Sequence, residues 1–181
     1  VFVPSYQRLS AEEELKRYDL HQNSPDDQRY RSFLDRLFKP LNERLLPGSY
    51  GLDFGSGPGP TLHLMFMDHG HAMHIYDCFY ADDQSVFEQT YDFITATEVV
   101  EHLFNPQWEL DRLWSCLRPG GLLGMMTGIV ENKAAFKNWY YKKDETHVAF
   151  YSEKTFEWLR EKWQASWEFI GNGVVIFRKN D

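Results

Sequence analysis

Leu52-Asp53-Phe54-Gly55-Ser56-Gly57-Pro58-Gly59-Pro60 runs a short apolar strand into a loop with glycine at every second position, and then toward a helix. Glycines placed so let the backbone turn tightly and approach a ligand closely. The order Asp-x-Gly-x-Gly-x-Gly differs from the Gly-x-Gly-x-x-Gly of dinucleotide binders, and no Gly-Lys-Ser/Thr follows as in a phosphate-binding loop. An acid ahead of the glycines also makes pyrophosphate a poor guest. Asp53 is placed to hold a ligand amine or to order the loop through backbone N–H groups. A surface turn rich in glycine and proline would have the same composition, so the surroundings must decide.

Outward from this loop, strands and helices alternate. Residues 72–77 read as a strand ending in Asp77, 24 positions after Asp53. An acid there accepts hydrogen bonds from ribose hydroxyls in doubly wound sheets. Tyr91–Thr97 is strongly β-prone, 106–117 reads as a helix opening on proline, 118–121 as a turn, and 122–130 as the next strand. An amphipathic helix over 152–163 precedes two strands, 167–170 and 174–178, joined by Gly171-Asn172-Gly173, a strong hairpin signal. Such alternation predicts a parallel sheet with helices on both faces and an antiparallel edge. Residues 1–47 differ: they read as a helical cap ahead of the main domain at 48–181. One helix runs from Ser10 to about His21 behind a capping box, and another from Ser24 to about Leu46 with Pro25 at its first position and Pro40 as a bend.

The composition narrows the function. A chain of 181 residues suits one domain. Its 19 basic and 27 acidic side chains give a net charge of −8, which disfavours a nonspecific nucleic-acid coat. The apolar run near 122–130 is far shorter than the roughly 20 residues of a membrane span. No basic-then-apolar leader opens the sequence, which begins at Val1, and the two cysteines, Cys78 and Cys116, form no disulfide framework; a cytoplasmic protein is expected. The 14 Phe, 10 Tyr and 6 Trp predict a bulky core, an aromatic-lined pocket, or both.

Loop 52–60, Asp77, the block Tyr91-Asp92-Phe93-Ile94-Thr95-Ala96-Thr97-Glu98-Val99-Val100-Glu101-His102 and Leu117-Arg118-Pro119-Gly120-Gly121 occur in that order. Together they resemble the class I S-adenosylmethionine-dependent methyltransferases, in the broad group with small-molecule O- and C-methyltransferases, over roughly residues 48–181. The resemblance implies a Rossmann-like, mostly parallel seven-stranded sheet with an antiparallel last strand. It implies S-adenosylmethionine as cofactor, residues 55–59 facing its methionine part and Asp77 its ribose. The cofactor set expected is Asp53, Gly55, Ser56, Gly57, Gly59, Asp77 and Thr97. One departure stands out. Only 13 residues, 78–90, separate Asp77 from the Tyr91 strand, where the family fits a helix, a strand and another helix. The adenine contact is therefore unassigned, with Asp82 or Asp83 as candidates.

Glu98, Glu101 and His102 follow a strand at i, i+3 and i+4, so one helical turn would set them on one face. His147 follows the last central strand at the same sheet edge. Three readings compete: hydrogen bonds to loop backbone, His147 as a general base for an acceptor hydroxyl with Glu98 nearby, and a divalent-cation set of Glu98, Glu101, His102 and His147. The last resembles the small-RNA 3′-end ribose 2′-O-methyltransferases. The expectation adopted is catalysis by His147 and Glu98 without a metal. Residues 131–145, with Trp139, Tyr140 and Tyr141 among Lys133, Lys137, Lys142 and Lys143, read as a substrate lid or an ordinary loop packed on the core. Tyr18, His21, Asn23 and Tyr30 could close over the cofactor. The expected acceptor is a small-molecule hydroxyl or carbon in preference to a nucleic acid, with no membrane partner. The alternatives are an RNA ribose methyltransferase, a catalytically silent S-adenosylmethionine-binding regulator, and an oxidoreductase with a divergent nucleotide loop.

Overall fold

The computed structural model describes residues 1–20, 23–171 and 173–180. Six strands form one sheet: β1 (Tyr50–Phe54), β2 (Ala72–Tyr76), β3 (Tyr91–Thr97), β4 (Leu117–Met126), β5 (Ser166–Ile170) and β6 (Val174–Arg178). Their order is β2-β1-β3-β4-β6-β5. The first four are parallel, and β6 runs antiparallel to β4 and β5. The closing hairpin is thus present, while its central Asn172 lies outside the described residues. The expected seventh strand is absent among the described residues. Residues 78–90 hold a tight turn closed by an Asp77–Ala81 bridge and a short 3-10 helix, Gln84–Glu88, which leaves β2 at the edge. A helix, a strand and a return helix do not fit into 13 residues, since one crossover alone takes about ten to twelve.

Helices α1 (Ala11–Tyr18), α2 (Gln28–Asn42), α3 (Leu62–Asp68), α4 (Pro106–Ser115), α5 (Lys133–Asn138) and α6 (Glu153–Trp163) complete the fold. One face of the sheet buries Ile94, Leu123 and Phe177 with Leu110 and Leu113 of α4 and Phe156 and Leu159 of α6. The other buries Phe93, Leu122 and Met126 with Leu37 and Leu41 of α2 and Phe66 of α3. Gly124 lets α2 come this close: a Cβ there would meet Leu37 Cδ1 at 2.9 Å.

Several boundaries differ from those read in the sequence. Ser10 caps α1 with its box to Glu13, but the helix ends at Tyr18, and His21 lies outside the described residues. The cap of α2 is Asp27, whose carboxylate accepts from Arg29 and Tyr30 N–H, not Ser24. Pro40 falls in the last turn of α2 and does not break it. Residues 118–121 belong to β4, where the pairing register with β3 slips between Tyr91 and Phe93, and the strand stops at Met126. That irregular stretch is tied down by the chain end: Gly120 N–H donates to Lys179 O and Lys179 N–H to Gly121 O. No helix among the described residues is long and apolar enough to cross a membrane.

Candidate active site

The strand order reverses between β1 and β3, so the loops that follow them leave in opposite directions and open a crevice at the carboxyl edge of the sheet. A cavity of about 940 Å³ lies there, lined by residues 55–58, by 76–80, by 97–99 and 102–105, by Tyr140, Tyr141 and Asp144 of the linker 131–145, by His147 just beyond it, and by residues of the N-terminal segment.

The glycine loop forms one wall. Gly55 and Gly57 have φ of +75° and +67°, backbone that favours glycine. Gly55 also needs the space, because a Cβ would sit 2.2 Å from Val99 Cγ2. The N–H groups of Gly55 and Ser56 donate to Tyr76 O at 2.7 and 3.1 Å, tying the loop to the end of β2. The hydroxyl oxygens of Ser56 and Thr97, both on cavity-lining residues, are buried without a hydrogen-bond partner. A buried polar atom left so is costly unless a ligand satisfies it.

Asp77 lines the cavity and is already engaged. One carboxylate oxygen accepts Gly57 N–H at 2.9 Å; the other accepts Phe79 and Tyr80 N–H at 2.9 and 3.2 Å. It thus holds the loop and its own turn together, with acceptor capacity to spare on a carboxylate that has about four lone-pair directions.

Asp53 and Gly59 do not line the cavity. Asp53 is buried beneath the loop, accepts the Thr95 hydroxyl at 2.7 Å, and has its carboxyl pushed up to about 7 by burial. Gly59 is where the N-terminal segment lands: a Cβ would lie 2.1 Å from the Asn23 carbonyl oxygen. Asp82 and Asp83 line a separate, shallower depression on the β2 side.

The acidic block after β3 closes the other side. Glu98 sits in left-handed backbone at φ +51° and donates its N–H to Met126 O at 2.7 Å. A short 3-10 turn, Val100–His102, follows. Glu101 is fully buried and accepts the hydroxyls of Thr127, at 2.8 Å, and of Tyr141. Tyr141 also reaches Glu98 at 3.2 Å, and its oxygen accepts Gly128 N–H at 3.1 Å. Burial and the neighbouring Glu101 push the Glu98 carboxyl up to about 8, and burial raises Glu101 as well, so the pair holds a proton at neutral pH.

His147 is held by the segment that crosses this block. Val148 and Ala149 N–H both donate to Glu101 O, at 2.8 and 2.9 Å. The His147 Nδ1–H donates to Tyr141 O at 2.7 Å, which leaves the lone pair on Nε2. Burial and nearby His102 hold this imidazole below the usual histidine pKa, hence neutral at pH 7. His102 donates its own Nδ1–H to Thr146 O at 3.0 Å, and the two rings lie 4.8 Å apart. Glu101, His102 and His147 bring one donor atom each within 4.8 Å of one another, a spacing that suits a divalent cation. Glu98 is outside that group, and both Glu101 oxygens already accept hydroxyls.

Two participants carry no sequence signal of their own. Tyr141 is one of three consecutive aromatics, and only the fold aims its hydroxyl at the acid pair. Glu14 is one of three consecutive glutamates in α1, yet it alone of them lines the cavity.

Residues 21–164 match the family model of the methyltransferase domain. This chain belongs to that family. The family's methyl donor is S-adenosylmethionine, and the cavity fits it: the glycine loop permits a close backbone approach, the Ser56 and Thr97 hydroxyls lack partners, and the Asp77 carboxylate keeps acceptor capacity to spare. Among curated proteins, the tRNA 5-carboxymethoxyuridine methyltransferase of Escherichia coli K12 is 31% identical over 120 residues, 58% of this chain and 45% of that enzyme. The chain therefore matches less than half the length of that relative. Among solved structures, the 1,6-didemethyltoxoflavin-N1-methyltransferase of Burkholderia thailandensis, crystallised with its acceptor and S-adenosylhomocysteine, superposes with a TM-score of 0.62 at 15% identity over 100% of this chain and 95% of that one. An O-methyltransferase family protein from the same organism gives 0.60 at 12% identity, over 93% of this chain and 63% of that one. These likenesses establish the Rossmann-like methyltransferase fold.

Proposed function

We propose that the chain transfers the methyl group of S-adenosylmethionine to a hydroxyl, or an acidic carbon, of a small-molecule acceptor. When bound, the cofactor supplies a methyl group activated by its sulfonium. The reading rests on one observation: His147, oriented through Nδ1, lines the same cavity as the glycine loop and Asp77. In this reading Gly55, Ser56, Gly57, Asp77 and Thr97 bind the cofactor, while Asp53 and Gly59 hold the loop from beneath and beside it.

The chemistry assigned to the protein is modest. Methyl transfer is an in-line displacement, so alignment of the acceptor in a cavity shielded from water supplies much of the rate. His147 Nε2 takes the acceptor proton as the hydroxyl loses it. Glu98, protonated at neutral pH, is a hydrogen-bond donor that orients the acceptor rather than a second base. The linker 131–145 contributes Tyr140, Tyr141, Lys143 and Asp144 to the rim and excludes water.

A nucleic-acid acceptor is the second reading. It draws on the match to a tRNA enzyme and on Arg17 and Lys143 at the cavity, against a net charge of −8. A radiolabelled-methyl screen of small hydroxylated acceptors and of bulk tRNA, with wild type and His147→Ala, tests both. Label on small acceptors, lost in the variant, supports the first reading. Label on tRNA alone replaces it with the second. Cofactor binding without transfer to any acceptor makes the chain a binding protein.

A further inference from the structure

The N-terminal helix α1 places a carboxylate at the cofactor end of the cavity. Glu14 is 7% exposed and lines the cavity. Its N–H donates to Ser10 O at 3.0 Å, while its carboxylate makes no hydrogen bond or ion pair among the described residues. Burial alone acts on its carboxyl, which is pushed up to about 7. A group desolvated this far with nothing to offset it is destabilising for the free protein, and such groups persist where a ligand completes them.

Its surroundings locate the missing partner. The Tyr18 ring, one turn further along α1, packs on Phe79 at 5.7 Å, and Tyr80 donates its hydroxyl to Asp19 at 2.8 Å. Helix α1 is thereby clamped onto residues 79–80, the turn that follows Asp77. The Tyr18 ring also meets His102 edge-on at 5.5 Å, and the Glu14 charge is felt by Tyr18 and by Cys78, which puts it beside that same turn. This is the side where residues 78–90 are too short to contribute a strand, and where Asp82 and Asp83 face elsewhere. Asp77 meanwhile commits three acceptor directions to backbone N–H groups.

We infer that Glu14 accepts a hydrogen bond from an N–H or O–H donor on the adenosine half of the cofactor, so that α1 supplies a nucleoside contact which the shortened segment after β2 lacks. The inference rests on the cofactor reading above. The donor is the purine amine or a ribose hydroxyl.

The test is calorimetric titration of S-adenosylhomocysteine into wild type, Glu14→Gln and Glu14→Ala, with the melting temperature of each ligand-free protein measured alongside. Glu14→Ala is expected to bind about tenfold or more weakly, with Glu14→Gln between it and wild type. Free Glu14→Gln, which keeps the shape of the side chain, is expected to melt no lower than wild type, since no native hydrogen bond or ion pair is removed. S-inosylhomocysteine, in which a carbonyl replaces the amine, separates the donors. If the amine is the partner, wild type prefers the adenosyl ligand and Glu14→Gln loses that preference; if a hydroxyl is, the variant weakens both ligands alike. Affinity in Glu14→Gln and Glu14→Ala within twofold of wild type overturns the inference, as does a lowered melting point with unchanged affinity, which marks a structural role. Failure of wild type to bind either ligand overturns the cofactor reading instead.

Discussion

The imidazole of His147 donates from Nδ1 to the carbonyl oxygen of Tyr141, six residues earlier, at 2.7 Å. That bond fixes the tautomer, and the Tyr141 hydroxyl fixes the carbonyl in turn by reaching into the Glu98–Glu101 pair. A base is thus oriented through a linker that is itself anchored on buried acids.

His147→Gln is expected to lower kcat by about 10²- to 10⁴-fold, the usual range for a lost general base. Affinity for S-adenosylhomocysteine should stay within a few fold, because the cofactor loop lies on other elements. Steady-state kinetics paired with calorimetry check this split.

The acid limb of the wild-type rate profile should lie below the ordinary histidine pKa of about 6.5. Burial lowers the His147 value, so the base stays unprotonated to lower pH. In His147→Gln the limb should vanish from the residual rate. A wild-type limb well above 7 points to a different base.

Glu98 gives a stability prediction whose sign is fixed. Its folded carboxyl is raised to about 8, so the native state binds more protons than the unfolded state between the ordinary carboxyl range and that value. The stability it confers is complete below about 4.5 and is lost as pH rises through 8. Relative to wild type, Glu98→Gln should therefore gain stability between pH 5 and pH 8. Denaturant melts of both proteins at the two pH values measure it.

Tyr141→Phe removes a hydroxyl that serves Glu98, Glu101, Thr127 and Gly128 N–H together. Leaving such buried groups short of a partner costs about 1–3 kcal/mol. The variant should also lose turnover, because the carbonyl that orients His147 is released with the linker; thermal melts and kinetics read the two effects.

A chelator should leave turnover unchanged. The three donor atoms at Glu101, His102 and His147 converge, but both Glu101 oxygens accept hydroxyls and His147 is assigned to the proton. Loss of activity with EDTA, restored by one divalent cation, would move His147 from base to ligand.

Much of this architecture was legible in residue order. The glycine loop, Asp77, the β-prone Tyr91–Thr97 and the terminal hairpin each carry a local signal: backbone that favours glycine, an acid at a strand end, β-branched and aromatic alternation, a tight turn. The resemblance implied seven strands, but the 13 residues of 78–90 leave no room for one of them, and the sheet has six among the described residues. What stayed hidden depends on long-range packing. Asp53 precedes the glycines as a ligand-facing acid would, yet Thr95 from the neighbouring strand draws it beneath the loop. Glu14 and Tyr141 reach the cavity only because α1 clamps on residues 79–80 and the linker folds back over β3. At the start of α2, Ser24-Pro25 and Asp27 offer competing caps, and Asp27 holds the helix.

Calorimetric titration of S-adenosylmethionine into the wild-type chain tests the central claim most directly. The account predicts saturable one-to-one binding in the micromolar range, competed by S-adenosylhomocysteine and indifferent to NAD. No heat with either adenosyl ligand, from a protein that melts cooperatively, would contradict it.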